Sequence, residues 1–191
     1  MPPWVGVHGL GLPAGQEFAV DMLATVGGGG LPRFRFGGLD YTAGYANFSF
    51  NVDPSDAESG AKAARTAGNI LTQLPHTPVN GVGFNFAFFV EEPHAELIAQ
   101  LTTHDALTDS FPGQAEVVTR RWGNSLTWED SIVSVDCELA GGHATLAFNF
   151  HYSTASAGDA QRILLADAVF AKHWDRAVAA AQALSDEQLE T

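Results

Sequence analysis

The most constraining feature of this sequence is the alternation of side chains between Val79 and Glu91. Large apolar residues recur at every second position, and small or polar residues stand between them, as happens when side chains point to opposite faces of a β-strand. The apolar positions are Val82, Phe84, Phe86, Phe88 and Val90. Both faces are largely apolar or small, which is typical of a strand covered on both sides. The sequence therefore predicts a central strand over 79–91.

The same period of two recurs elsewhere in the chain. Phe34 and Phe36, followed by Phe48, Phe50 and Val52, predict a pair of strands. Three further strands are predicted as a meander, with turns at Gly123-Asn124 and Gly141-Gly142, because glycine and asparagine favour tight hairpin turns. These strands span Ala115–Trp122, Thr127–Leu139 and Ala144–Tyr152.

Four segments show helical spacing of apolar residues or a helix-start signal. A weak N-terminal helix is predicted over 16–26, before the run Gly27–Gly30. A second helix is predicted to run from a capping box of Ser55 and Glu58 to about Leu74. The other two are a short helix over Pro93–Thr102 and a long amphipathic helix over Asp159–Leu184.

Hairpins outnumber strand–helix–strand crossovers in this order of elements. The predicted fold class is therefore α+β, with a mostly antiparallel sheet of five to seven strands, helices packed on one side and a long C-terminal helix. Residues 1–191 are predicted to form a single domain. Within it, residues 1–30 supply the N-terminal helix and a glycine-rich linker, and residues 185–191 a frayed acidic tail.

Composition supports a globular chain. The hydrophobic fraction is 46% and the charged fraction 16%, whereas disordered chains combine low hydrophobicity with high charge. The single cysteine, Cys137, cannot form an internal disulfide, which fits a reducing compartment. No stretch reads as a secretory leader or a membrane helix. We therefore expect a soluble, cytoplasmic protein with no membrane partner.

The formal net charge of −13 comes from 22 acidic residues against nine lysines and arginines. Such a surface repels phosphate backbones, so nucleic acid is not an expected partner. Two interpretations stay open. The charge either serves general solubility, or it forms an acidic face that docks a basic protein or mimics nucleic acid. The acidic residues are scattered rather than clustered in blocks, which favours the first interpretation.

Motifs with a known chemistry are absent from the sequence: it has no phosphate-binding loop, dinucleotide fingerprint, zinc-protease helix or nucleophile elbow. The seven histidines show no metal-binding spacing on a helix or strand, so no metal and no cofactor are predicted. His173 is predicted to be a half-buried surface residue, and Cys137 a buried structural thiol. Catalytic residues stay unknown.

Two asparagines stand between phenylalanines on separate predicted strands, in Phe84-Asn85-Phe86 and Phe148-Asn149-Phe150. Asparagine is disfavoured inside strands, so its presence calls for a reason. Each amide could bond a neighbouring strand, a covering helix or a buried water. Alternatively, Asn85, Asn149 and His151 could form the polar floor of a ligand-binding pocket. These three residues are the predicted ligand-binding candidates.

The segment Leu74-Pro75-His76-Thr77-Pro78-Val79, leading into Gly83-Phe84-Asn85-Phe86, resembles a group of small prokaryotic and phage proteins of unassigned function. In that group a helix ends in a Leu-Pro segment, followed by Thr-Pro-Val and a strand with a Gly-hydrophobic-Asn-Phe pattern. The resemblance implies a helix–strand unit and a prokaryotic or phage origin. It implies no activity and no catalytic residue.

Two functions remain in competition. The favoured one is a non-enzymatic protein-binding module, such as an accessory, immunity or assembly subunit, whose partner is another protein or a second copy. The aromatic residues expected on its surface are Trp4, Tyr41, Tyr45 and Trp128. The alternative is a small-ligand-binding or enzymatic domain, with a cavity between the sheet and the C-terminal helix and the two asparagines and His151 on its floor.

Overall fold

The computed structural model describes residues 19–24, 30–44, 46–52, 57–102 and 118–185, and within these ranges the chain forms eight strands and four helices. The chain divides into two compact units. One comprises residues 1–82 with 154–171, and the other residues 83–153 with 172–191. The single domain proposed from the sequence stays a prediction.

The first unit contains a four-stranded antiparallel meander. Its strands are β1 (Ala19–Ala24), β2 (Gly30–Phe36), β3 (Leu39–Ala43) and β4 (Phe48–Val52), in that order across the sheet. Gly37 and Gly38 connect β2 to β3 with φ values of 53° and 80°. Two successive positive φ angles are what a tight hairpin turn needs, and glycine adopts them without steric cost.

Helix α1 (Ala57–Gln73) packs against this meander. Phe36, Leu39 and Tyr41 are buried together with Ala63 and Ile70 of the helix. Small residues let α1 lie close to its neighbours. A Cβ atom at Gly60 would overlap the Phe170 ring, at 1.9 Å from Cζ, and one at Gly68 would lie 2.6 Å from a Leu165 methyl group. Helix α3 (Ala157–Leu164) lies against α1, and Ser156 caps it by accepting a hydrogen bond from the Asp159 backbone N–H.

The second unit contains the longer strands, in the order β5-β8-β7-β6. They are β5 (Gly81–Val90), β6 (Thr119–Trp128), β7 (Ser131–Ala140) and β8 (His143–Ser153), and the accompanying helices are α2 (Ala95–Thr102) and α4 (Val169–Gln182). Strands β6 and β7 pair antiparallel and in register over their whole length. Two-residue turns join β6 to β7 and β7 to β8.

Helix α4 covers one face of this second sheet, which we call the inner face. Phe86 and Phe88 each lie 5.7 Å from the Trp174 ring, centroid to centroid. Phe148 and Phe150 complete the layer from β8, and Phe150 is only 1% exposed. Ala177 and Ala181 are fully buried, so the apolar stripe of the helix and the phenylalanines form one core.

Several sequence-based predictions are confirmed. The structure has an α+β fold with antiparallel sheets and a C-terminal helix. The helix predicted before Leu74, the strand within 79–91, the short helix ending at Thr102 and the Gly141-Gly142 turn all occur. The Ser55 side of the capping box, residues 27–29 of the glycine run and the tail after Ser185 lie outside the described residues.

The predicted single sheet of five to seven strands is wrong: there are two sheets of four strands each. Part of the error lies at the N-terminus, where residues 19–24 form strand β1 rather than part of a helix. Each of them pairs with a residue of β2, from Ala19 opposite Arg35 to Ala24 opposite Gly30. A continuous ladder of backbone hydrogen bonds outweighs the weak helical spacing of three apolar residues.

Two boundaries also differ from prediction. The long C-terminal helix is broken between Leu164 and Val169, where Ala168 adopts a φ of 51° that a helix cannot accommodate. Gly123-Asn124 is not a turn but lies inside β6, and the chain turns instead at Glu129-Asp130. Gly123 fits within the strand because the Asp136 carboxylate of β7 occupies the space beside it, 2.5 Å from where a Cβ atom would lie.

Candidate functional site

The predicted ligand-binding residues lie on the exposed face of the second sheet, which we call the outer face. Asn85, Asn149 and His151 are all exposed. The side chains of the two asparagines flank Gly83: Asn85 Nδ2 and Asn149 Oδ1 each lie 3.7 Å from the position that a Cβ atom of residue 83 would take. His151 stands opposite Ile132 of β7.

This placement corrects the predicted cavity between the sheet and the C-terminal helix. In β5 and β8 the even-numbered phenylalanines turn toward α4, so the odd-numbered residues between them face outward. The asparagines therefore cannot line a cavity beneath the helix. The structure brings two of the three candidates together, but on a solvated surface.

The outer face continues across β7 and β6 with charged and small residues. Arg121 Nε donates to Glu138 Oε2 at 2.9 Å, and the pair is largely exposed, so it contributes little to stability. The Asp136 carboxylate lies over Gly123. An open depression is lined here by Arg121, Gly123, Asp136, Glu138, Thr145 and Ala147. Its charges are partly compensated by the ion pair between Arg121 and Glu138.

The inner face contains a polar residue that is more deeply buried than the sequence predicts. His173 of α4 is 1% exposed, not half-buried. Its ring stacks on Phe84 at 4.9 Å with an interplanar angle of 22°, and meets Phe150 edge-on at 4.7 Å. Its Nε2 atom lies 2.8 Å from the Tyr152 hydroxyl oxygen. The burial of His173 could have been predicted from the aromatic residues at alternate positions of β5 and β8, which surround its ring.

The hydroxyl groups around His173 already have partners. Ser131 Oγ donates to the Trp128 carbonyl at 2.8 Å, and Ser131 is 1% exposed. Burial raises the pKa of Tyr152 above its usual value, while its hydrogen bond with Ser131 and the charge of Lys172 lower that pKa in part. The serine hydroxyl is therefore directed at a backbone carbonyl rather than at a base. The arrangement is that of a satisfied buried network and not of an activated nucleophile.

Strand β6 carries the most unusual surface of the second unit. Trp122, Asn124 and Leu126, which we call the β6 edge surface, point to the same face as Val133 and Cys137 of β7. On β7 that face is buried, but on β6 Trp122 is 39% exposed and Leu126 is 50% exposed. Helix α4 covers this face of β6 at Trp128, which packs against His173, and α2 also contacts the strand, but Trp122 and Leu126 stay exposed. Sequence reasoning missed this surface because it ended the strand at Trp122.

The edge of β6 is also open as a hydrogen-bonding edge. Within the described ranges, β6 is an end strand whose single strand partner is β7. It is ten residues long and contains no proline, lysine or bulge, although it carries Arg120 and Arg121 and is contacted by α2. An end strand of this length that exposes Trp122 and Leu126 can accept another strand through its backbone.

The aromatic residues expected on the surface have different environments. Tyr41 is 4% exposed, so it belongs to the core of the first unit, and burial raises its pKa. Trp128 is partly buried against Phe150 and His173, and Lys172 and Arg176 lie over its ring at 5.2 and 5.5 Å. Trp4 and Tyr45 lie outside the described residues. Cys137 is buried as predicted, which raises its pKa.

No protein-family model, no curated protein and no solved structure matches this chain. The resemblance to small prokaryotic and phage proteins therefore stays a prediction. In the part of the chain that the structure describes, no group of three or more histidine, cysteine, aspartate and glutamate side chains is placed to hold a metal ion. None of the helices in that part is long and apolar enough to cross a membrane.

Proposed function

We propose that this chain is a non-enzymatic protein-binding module that docks a partner protein at the β6 edge surface. The observation that carries the proposal is the change of burial between neighbouring strands. Val133 and Cys137 are buried on β7, whereas Trp122 and Leu126 are exposed on the same face of β6. Exposed apolar groups beside an open strand edge are costly for a soluble chain unless a partner covers them.

The partner that fits this surface is an extended segment with two apolar side chains four residues apart. Such a segment would pair with the free edge of β6 through its backbone and place its apolar side chains against Trp122 and Leu126. Main-chain hydrogen bonds supply affinity in this mode of recognition, and the side chains at alternate positions supply specificity. Tryptophan is enriched among the residues that dominate binding energy, so Trp122 is the expected anchor.

The test places a photo-crosslinking amino acid at position 126 of the otherwise intact chain and exposes it to extracts from cells that make it. A crosslinked protein is then purified and titrated against the unmodified chain. Trp122→Lys should weaken that binding by about a hundredfold, equivalent to about 2.7 kcal/mol. The matched control is Ile132→Lys, since Ile132 is 49% exposed on the opposite face of the adjacent strand.

Equal loss of binding in both lysine variants would indicate a general effect of charge or unfolding and would contradict docking at β6. Full retention of binding in Trp122→Lys would place the interaction elsewhere on the protein.

We keep small-molecule binding at the outer face as a second candidate, because the side chains of Asn85 and Asn149 flank Gly83. Two amides offer both donors and acceptors to a polar ligand. A thermal-shift screen of polar metabolites tests this function. A compound that stabilises the wild type but not Asn149→Ala would support it, and an equal shift in both proteins would oppose it.

A further inference from the structure

We infer that the occupant of the β6 edge surface is a second copy of this chain, paired antiparallel through β6 about a two-fold axis at Asn124. The inference rests on the proposed function, because it names the partner for the same surface. It would join the two second sheets into one continuous eight-stranded sheet, given that each has four strands in the order β5-β8-β7-β6.

The first support is the self-complementary order of residues along β6. A symmetric dimer buries the same patch on both copies, so each residue must tolerate its symmetry-related neighbour. With Asn124 opposite itself, Trp122 stands opposite Leu126 of the second copy, and Gly123 stands opposite Ser125 of the second copy. Apolar residues thus meet apolar residues on one face, and small residues meet small residues on the other.

The second support is that β6 itself has the spacing of apolar side chains that a strand docked against it needs. A docked segment needs two apolar side chains four residues apart, and Trp122 and Leu126 have this spacing. In the symmetric pairing both copies contribute the two side chains, so four apolar groups cluster around the axis. They extend the buried surface formed by Val133 and Cys137 on each β7.

The third support is the local distribution of charge. Strand β6 contains two arginines and no acidic residue, whereas the turn that follows it is Glu129-Asp130. In the antiparallel pairing, Arg121 stands opposite Thr127 of the second copy, one strand period from the Glu129 of that copy. Arg121 already binds Glu138 and Glu129 already binds Lys172, but a guanidinium has further N–H donors and a carboxylate has further acceptor sites. Opposite charges therefore meet at both ends of the paired strands, although each whole chain carries −13.

Analytical ultracentrifugation of the full chain tests the association. The wild type should sediment as a dimer at micromolar concentration. Leu126→Lys should raise the dimer dissociation constant by at least about tenfold, because it places a lysine against Trp122 of the second copy. Ile132→Lys should leave the dissociation constant within about twofold of the wild type, since its side chain lies on the other face. A wild type that stays monomeric at about 100 μM would overturn the inference.

A cysteine at the axis tests the register. Residues directly opposite each other in antiparallel strands have Cα atoms about 4.5–5.5 Å apart, within the range of about 4.4–6.8 Å that a disulfide spans. Asn124→Cys should therefore form a covalent dimer on mild oxidation. Thr127→Cys should not, because its symmetry mate lies several residues away. The wild type controls for Cys137, which is 1% exposed. Efficient crosslinking of Thr127→Cys with none at position 124 would overturn the register.

The two proposals fail in different ways. A monomeric wild type, together with a purified heterologous partner that Trp122→Lys no longer binds, would reject the second copy but support docking at β6. A dimer that survives Leu126→Lys, with no other protein lost in Trp122→Lys, would reject both.

Discussion

The two four-stranded sheets of this protein bury their apolar side chains to different extents. In the first, strands of five to seven residues gather their aromatic side chains around Tyr41, and α1 supplies Ala63 and Ile70 to the same core. In the second, strands of ten or eleven residues bury the phenylalanines of β5 and β8 against α4. There α4 covers β6 only at Trp128, and Trp122 and Leu126 stay exposed.

The comparison shows that an alternating pattern fixes which residues share a face but not whether that face is covered. Trp122 and Cys137 are direct cross-strand neighbours on one face, yet Cys137 is 1% exposed and Trp122 is 39% exposed. Along β6 itself, Trp128 is partly buried against His173 of α4 while Trp122 is exposed, so burial also changes along one strand. An end strand that is only partly covered leaves apolar side chains available for a partner.

The largest expected effect tests which face of the second sheet forms its core. Phe150→Ala should lower the free energy of unfolding by about 3–5 kcal/mol, because it removes a buried aromatic ring and leaves a cavity. Phe89→Ala is the control, since Phe89 is 60% exposed, and its effect should stay within about 0.5 kcal/mol. Chemical denaturation measures both. Similar losses in the two variants would mean that the inner and outer faces are misassigned.

The next effect concerns the hydrogen-bonded pair of His173 and Tyr152 in the second unit. His173→Phe should cost about 1–3 kcal/mol, because the Tyr152 hydroxyl loses its hydrogen bond to Nε2 at 2.8 Å and keeps only the one with Ser131. The double variant His173→Phe with Tyr152→Phe should cost less than the sum of the single variants, since both polar groups are then gone. Additive losses in a double-mutant cycle would show that the hydrogen bond contributes nothing.

Helix packing in the first unit predicts that alanine substitutions at two glycines change the stability in opposite directions. Alanine stabilises a helix interior by about 1 kcal/mol relative to glycine. Gly68→Ala should gain a similar amount, because its neighbour Leu165 is 42% exposed and can move aside. Gly60→Ala should instead lose about 1–3 kcal/mol, because the partly buried Phe170 ring occupies the space. Melting temperatures in the reverse order would refute the close approach at Gly60.

The first sheet also predicts a loss of stability at alkaline pH. Burial raises the pKa of Tyr41 above its ordinary value of 10.0, so the folded state favours the neutral phenol. This contribution is complete below pH 10, where both states are protonated. It falls as the pH rises further, because the unfolded chain ionises first. The stability of Tyr41→Phe should therefore decline less between pH 9 and 11 than that of the wild type, as measured by urea titration. Parallel curves would place Tyr41 in contact with solvent.

The smallest expected change in stability comes from substitutions on the outer face. Asn85→Ala and Asn149→Ala should each change stability by less than about 0.5 kcal/mol, because both side chains are exposed and leave no buried partner behind. If the amides were buried within a strand network, the loss would be about 1–3 kcal/mol. A loss of that size in either variant would show that something covers this face.

The sequence was a good guide where a local pattern was strong. The alternation around Phe86 predicted β5, and the spacing of small residues before Leu74 predicted α1. It was a poor guide where tertiary contacts decide the outcome. Gly123 looks like a turn residue, but the carboxylate of Asp136 across the ladder accounts for its place inside a strand. No glycine or proline in residues 165–168 marks the break between α3 and α4, where Ala168 has a positive φ and Leu165 lies beside Gly68 of α1.

For the candidate site, the pattern identified Asn85, Asn149 and His151 as unusual strand residues, but it could not say which face α4 would cover. The same limit explains His173. Its neighbours in sequence suggested a helix surface, whereas the enclosure by Phe84, Phe150 and Trp128 comes from distant parts of the chain. The β6 edge surface was beyond prediction because it depends on strand order, which a single sequence does not specify.

The connections between paired strands of the second sheet differ in length, and this difference favours one order of assembly. Strands β6, β7 and β8 are joined by two-residue turns, so their pairing closes very short loops, and isolated hairpins form in about 1–10 μs. Strand β5 reaches β8 across all the residues between Val90 and His143, and the entropy cost of closing a loop grows with its length. We therefore expect the three-stranded meander to form early and β5 to be added late. Until β5 is added, one edge of β8 has no strand partner. During that time a strand other than β5 can pair with it.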